Sequence, residues 1–197
     1  MGGHAAGEGA SSIAVETIAK TAPQSADAAR LAAAVEAANA AVIEAALNGL
    51  GKPGMGCTAT CAYIENDTLA IAHVGDSRAY LLHEGTLIRV TRDHSYVEEL
   101  VDAGEITADE ARVHPNRSVI TRALGSDPAM YADHFTLHIE EGDRLILCSD
   151  GLSSMIPDSD IENIATQSST AQICVDNLVD AALAAGGHDN VTVVVVD

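Results

Sequence analysis

The sequence predicts an α+β fold in which short antiparallel strands are accompanied by helices, and three observations predict it. Aliphatic runs of strand length follow one another quickly after residue 57 and resume after residue 136, with the turn-forming pairs Asn66-Asp67 and Glu84-Gly85 among them. Stretches with helical spacing, several of them rich in alanine, precede the strands and return after residue 158. With 47% hydrophobic residues but no Trp and one Phe, the core must be built mainly from Ala, Val, Leu and Ile.

In chain order, Met1 to Gly3 reads as a glycine turn and His4 to Lys20 as a helix carrying Ile13 and Ile18. Pro23 breaks that pattern. Ser25 is then placed to cap a second helix, along which Leu31, Val35, Val42 and Leu47 recur at helical spacing until Asn48-Gly49 ends it. After a loop over Gly51 to Gly56, Cys57 to Ile64 and Leu69 to Val74 form one predicted hairpin, and Arg78 to Leu82 with Leu87 to Val90 a second. Residues 94–117 are polar and have little to bury. Two short helices, Tyr96 to Ala103 and Thr107 to Arg112, flank Gly104 there, and the segment reads as a surface flap. Thr136 to Ile139 and Arg144 to Leu147 resume the sheet around Glu141-Gly142, and helices over Asp158 to Thr166 and Thr170 to Ala185 lead to a last strand, Val191 to Val196. No repeat or linker interrupts residues 1–197, so a single domain is expected, with residues 94–117 as a flap within it.

The charge narrows the partners. Asp and Glu number 29 against 10 Lys and Arg, a formal net charge of -19, which opposes nucleic acid and anionic membranes and favours cations. Cys57, Cys61, Cys148 and Cys174 lack the paired spacing of a zinc site and read as buried free thiols, which points to a reducing compartment. No stretch approaches the roughly 20 apolar residues that span a bilayer, and no basic segment followed by an apolar one opens the chain. The expected location is cytoplasmic.

Three carboxylates stand at the ends of aliphatic runs beside glycine: Asp76 after Gly75, Asp150 before Gly151, and Asp189 after Gly186-Gly187-His188. An Asp at the mouth of a core strand is costly to desolvate unless paired or bound to a metal. Gathered in space, the three would make an oxygen-rich site for a hard divalent cation. Competing chemistries fit less well. Gly75-Asp76-Ser77-Arg78 lacks the final glycine of a nucleophile elbow, and no Asp-x-x-His supplies Ser77 with a base. Gly51-Lys52 is followed by Pro53, unlike a Walker loop, and Asp158-Ser159-Asp160 lacks the glycine and closing glutamate of a calcium loop. His4 and His188 read as hydrogen-bonded loop residues, His73 as a packed histidine, and Arg78 and Arg122 as salt-bridge partners of nearby acids.

The ordered strings Met1-Gly-Gly-His-Ala-Ala-Gly-Glu8, Gly54-Met-Gly-Cys-Thr58, Gly75-Asp-Ser-Arg78, Asp93-His-Ser95, His114-Pro-Asn-Arg-Ser118, Ser149-Asp-Gly151 and Gly187-His-Asp-Asn190 resemble the motifs of bacterial metal-dependent serine/threonine phosphatases of the PPM, or protein phosphatase 2C, type. The resemblance implies two antiparallel sheets packed face to face with helices outside. It implies hydrolysis of phosphoserine and phosphothreonine in proteins, and as partners phosphorylated proteins, a serine/threonine kinase among them. It further implies two Mg²⁺ or Mn²⁺ ions held by Asp150 and Asp189, and a third shared by Asp76 and Asp150, with Ser118 near it. Gly151 and Asn190 shape the turns in this picture, with Ser77 and Arg78 in support.

In that family an Asp-Gly precedes the string that begins here at Met1, its aspartate bridging both ions, and earlier strands carry an Arg for the phosphate. The sequence contains neither. The resemblance therefore carries the expectation of an N-terminally truncated domain, weakly active and poorly stable by itself. A catalytically incomplete binding or regulatory module is the alternative reading.

Overall fold

The computed structural model describes the backbone of residues 3–197 and side chains from residue 7 onward. Along the chain it forms α1 (Gly3–Thr21), α2 (Ala28–Leu47), β1 (Ala59–Glu65), β2 (Thr68–Val74), β3 (Arg78–His83), β4 (Thr86–Arg89), α3 (Tyr96–Asp102), α4 (Ala108–Val113), β5 (Asp133–His138), β6 (Arg144–Cys148), α5 (Asp150–Ser153), α6 (Asp158–Gln167), α7 (Ala171–Ala184) and β7 (Val193–Val196). Of the turn expected over Met1 to Gly3, Met1 and Gly2 lie outside the described residues, as does the side chain of His4; Gly3 opens α1. The elements fall into two compact units, Met1–Gly75 with His94–Ile139, and Asp76–Asp93 with Glu140–Asp197.

In the first unit α2 packs on β2 and β5 of a three-stranded antiparallel sheet of order β1-β2-β5, and α1 packs against α2. Alanine spacing lets the two helices meet through small side chains, and α2 turns Leu31, Val35, Ala38 and Val42 inward at successive turns. Burying each of the larger ones stabilises by about 1.5–3 kcal/mol. Leu47, expected on the same face, is 81% exposed: it follows Val42 by five residues, which turns it away from the buried side that Ala45 continues. The cap is Asp27 rather than the expected Ser25: its side chain accepts the N–H of Arg30 at 3.0 Å. Asn39, although polar, is buried on α2. Its amide donates to the Asp127 carbonyl at 2.8 Å and accepts the Gly125 N–H at 2.7 Å, so it fastens the loop before β5. β2 is the buried central strand, and Asn66, at φ 52°, makes the tight turn that joins it to β1.

The second unit holds a four-stranded antiparallel sheet of order β4-β3-β6-β7, with α6 and α7 contributing Ile161, Ala165, Cys174 and Leu178 to its core. Glu84 and Gly85, at φ 48° and 78°, close the β3–β4 hairpin with the backbone twist that a two-residue turn needs. One expectation is corrected. The strands expected to resume one sheet around Glu141-Gly142 enter two: β5 pairs with β2, β6 pairs with β3 and β7, and the turn at Gly142 passes the chain from one sheet to the other. The short helix α5 also has no counterpart in the strand-end reading of Asp150.

The four cysteines are free thiols, Cys148 and Cys174 buried but Cys57 and Cys61 only half-buried. Burial pushes the Cys57 and Cys61 thiols up to about 11, so both are protonated at neutral pH. Among the described residues no helix is long and apolar enough to cross a membrane.

Candidate functional site

Asp150 is placed by the end of β6. After Cys148 the backbone turns at Ser149, the N-cap of α5, and Asp150 is the first helical residue. Ser149 ties this turn to the approach of β7: its N–H donates to the Thr192 carbonyl at 3.0 Å, and its hydroxyl oxygen accepts the Thr192 N–H at 3.1 Å. Gly151 is needed here because a methyl group at that position would overlap the Asn190 carbonyl oxygen. The space that glycine leaves is thus filled by backbone, and it brings the Asp189–Asn190 turn against the head of α5. Within that turn the Asn190 N–H donates to Asp189 Oδ1 at 2.7 Å, orienting the carboxylate.

Asp76 arrives from β2 through Gly75 and leads into β3, whose pairing of Arg78 with Cys148 lays it beside the end of β6. Burial, then the charge of Asp150, then that of Asp93 push the Asp76 carboxyl up to about 7. The opposing pull of its own backbone N–H and of Arg78 is smaller. Asp150 is also raised, first by burial and then by Asp189. Asp150 is therefore shared by two acidic couples, one with Asp76 and one with Asp189.

The nearest cation is engaged elsewhere. Arg78 Nη2 lies 2.7 Å from Asp93 Oδ2 and its Nε donates to both Asp93 oxygens, while Nη1 donates to the Tyr80 hydroxyl at 3.0 Å. Burial works against the guanidinium charge, but Asp93 outweighs it and holds Arg78 firmly protonated. Tyr80 in turn donates to Asp158 at 3.0 Å. The salt-bridge reading of Arg78 describes these contacts.

Asp76, Ser77, Arg78, Asp150, Gly151, Asp189 and Asn190 all belong to the second unit, with Ser77 half-buried and Asp189 and Asn190 exposed. Ser118 belongs to the first, on an exposed turn after α4. Among the described residues no three or more His, Cys, Asp or Glu side chains stand close enough together to hold an ion, so the carboxylates form couples rather than a closed cage. The donor chemistry nonetheless fits a hard divalent cation. Asp76 and Asp150 are oxygen donors raised by burial and by neighbouring carboxylate charge, the condition that a bound cation relieves.

In the first unit Arg122 donates to Asp133 Oδ1 at 2.6 Å and lies 4.0 Å from the centre of the Tyr131 ring, again a salt bridge. His73 is buried in β2 with Nδ1 2.9 Å from the Thr60 hydroxyl, and His188 is exposed. Sequence reasoning misses Asp93 as a site residue. Its string Asp93-His94-Ser95 carries part of the resemblance, but nothing in the residues themselves pairs it with Arg78, 15 positions away.

The fold and the donor set define an α+β chain of two antiparallel sheets with coupled carboxylates at strand ends. The chain belongs to the protein phosphatase 2C family, whose family model matches residues 1–191. It is 42% identical over 203 residues to the serine/threonine protein phosphatase PstP of Mycobacterium tuberculosis, a match that covers all of this chain but 38% of that protein. It thus spans well under half the length of that relative. To the serine/threonine phosphatase stp of Listeria welshimeri it is 36% identical, over 100% of this chain and 81% of that protein. A crystal structure of the Mycobacterium tuberculosis phosphatase PstP/Ppp superposes with a TM-score of 0.91 at 40% identity, covering 99% of this chain and 83% of that one. Another, of the PstP catalytic domain in complex with two manganese ions, superposes at 0.87 with 38% identity, over 100% and 85% of the two chains.

Proposed function

We propose that the chain is a metal-dependent protein phosphatase that hydrolyses phosphoserine and phosphothreonine, with Asp150 and Asp189 holding a pair of cations and Asp76 and Asp150 sharing a third. The observation that carries this reading is the position of Asp150, half-buried at the head of α5 and electrostatically coupled to both other aspartates. Relatives named as serine/threonine phosphatases, and a related catalytic domain with two manganese ions, support it. Bound Mn²⁺ or Mg²⁺ would supply the charge that acidifies water and offsets a phosphoryl group. The chain's own residues prepare that position. Gly151 admits the Asn190 backbone, Asn190 orients Asp189, and Arg78 is engaged by Asp93, which leaves Asp76 and Asp150 to be neutralised by a cation.

In this reading residues 1–197 act as one phosphatase domain, residues 94–117 with α3 and α4 form its flap, and Ser118 supports the third ion. Phosphorylated proteins are the partners, a serine/threonine kinase among them. Four free thiols support a cytoplasmic location. The test is Mn²⁺-dependent release of phosphate from a phosphothreonine peptide by the intact protein. Asp150→Ala and Asp189→Ala are each expected to abolish it, and full activity in both overturns the assignment. Mn²⁺ binding without turnover selects the non-catalytic module instead.

A further inference from the structure

The residue before Asp76 is held at both of its polar backbone groups by one histidine, through that residue's ring and its own peptide. The Gly75 N–H donates to His94 Nδ1 at 3.0 Å, and the His94 N–H donates to the Gly75 carbonyl at 2.7 Å. Gly75 sits at φ +112°, where a side chain is strained and would also overlap Thr58. Its conformation is therefore demanding, and His94 is what grips it.

The proton on the His94 ring can be placed from its partners. Nδ1 accepts a backbone N–H, so it carries a lone pair and the ring proton is on Nε2. Nε2–H faces Asp133 Oδ2 at 3.0 Å. Arg122 Nη1 donates to the other Asp133 oxygen at 2.6 Å and also lies 3.1 Å from Nε2; because Nδ1 must keep its lone pair for the Gly75 N–H, the carboxylate between ring and guanidinium receives both N–H groups. His94 is 3% exposed, with the His73 ring centre 5.0 Å away. Its own carbonyl accepts the Thr121 N–H at 2.9 Å. Asp133 thus selects the tautomer that can receive Gly75, just as carboxylate partners fix the ring nitrogens of metal-ligating histidines.

We propose that His94 is a positioning residue for the candidate metal centre: locked by Asp133 as the Nε2–H tautomer, it fixes the Gly75 backbone and so presents Asp76. Asp76 follows Gly75 directly, so a rotation of the Gly75 peptide displaces the carboxylate. On the other side His94 follows Asp93, itself anchored by Arg78, so the segment is fastened at consecutive residues. The proposal rests on Asp76 being an ion ligand.

Asp133→Asn tests it at nearly constant volume. Arg122 claims the amide oxygen, the amide NH₂ turns to Nε2, and the ring proton is driven to Nδ1, where it opposes the Gly75 N–H. Expected are a tautomer switch in the ¹⁵N ring shifts of His94, a displaced Gly75 amide proton resonance, and a Mn²⁺ affinity lowered roughly 10- to 100-fold by calorimetry. His94→Leu, which cannot accept the Gly75 N–H, is expected to give the same loss. Val35→Ala, a core truncation in the same unit that touches none of these groups, is expected to lower thermal stability and leave Mn²⁺ affinity unchanged. Retention of the Nε2–H tautomer in Asp133→Asn overturns the locking role. Unchanged affinity in both Asp133→Asn and His94→Leu overturns the positioning role. Asp76→Asn separates this from the underlying reading: if it too leaves Mn²⁺ affinity unchanged, the metal assignment of Asp76 fails and the proposal falls with it. If Asp76→Asn alone weakens binding, only the proposal falls.

Discussion

Asp133 and Asp76 are both aspartates flanking a strand, yet their surroundings drive them in opposite directions. Burial alone would raise Asp133, but hydrogen bonds from His94 and Arg122 prevail and hold it below the usual carboxylate range. Asp76 is half-buried beside Asp150 and Asp93 instead, and is pushed up to about 7. A carboxylate that the fold supplies with donors is part of the architecture, whereas one that it surrounds with other carboxylates is left to be neutralised from outside.

The strongest way to break this contrast is to remove the unneutralised carboxylates. Asp150→Ala or Asp189→Ala is expected to lower Mn²⁺-dependent phosphopeptide hydrolysis at least about 100-fold, with little change in denaturation midpoint of the cation-free chain. Steady-state assays beside urea titrations measure both. Next in size is the backbone that delivers Asp76. Gly75→Ala meets positive φ and Thr58 together and is expected to cost about 2–3 kcal/mol, whereas Gly54→Ala, at φ +75° with open space around it, is expected to cost about 1 kcal/mol. Comparable losses from the two would show that the Thr58 contact is unimportant.

Asp133→Ala is expected to cost about 1–2 kcal/mol of stability, because His94 and Arg122 lose their shared acceptor. The test that sets the two carboxylates most directly against each other is their pH dependence. Asp76 has a folded value of about 7, above the roughly 3.9 of an unfolded Asp, so the folded state keeps the proton longer. Stability of the cation-free chain should therefore fall as pH rises from about 4 to about 7. Asp133 has the opposite sign: its lowered value contributes stability above about 3.9 that is lost as pH falls through the folded value. Thermal melts in chelator across this range should lose the upper limb in Asp76→Asn and the lower one in Asp133→Asn.

The parts of this architecture set by local chemistry are legible in the residues alone. Glu84-Gly85 and Asn66-Asp67 announce tight turns, and the aliphatic run before Asp150-Gly151 announces a strand ending at an acid. What Gly151 is for is half legible. A glycine beside the acid implies a close approach, but only the fold shows that the Asn190 carbonyl makes it. Ser25 and Asp27 are near-equal caps by preference, so geometry chooses between them. The pairing of Arg78 with Asp93, and of His94 with Gly75 across 19 residues, leaves no periodic trace because it depends on which strands become neighbours. The turn at Gly142 poses the opposite difficulty: its composition suits a hairpin, yet its strands enter different sheets.

Asp150 belongs to both acidic couples, so one substitution addresses the central claim. Calorimetric titration of Mn²⁺ into the wild-type chain and into Asp150→Asn, which preserves shape and removes charge, should show an affinity lower by at least about tenfold in the variant. Equal affinities would contradict the account.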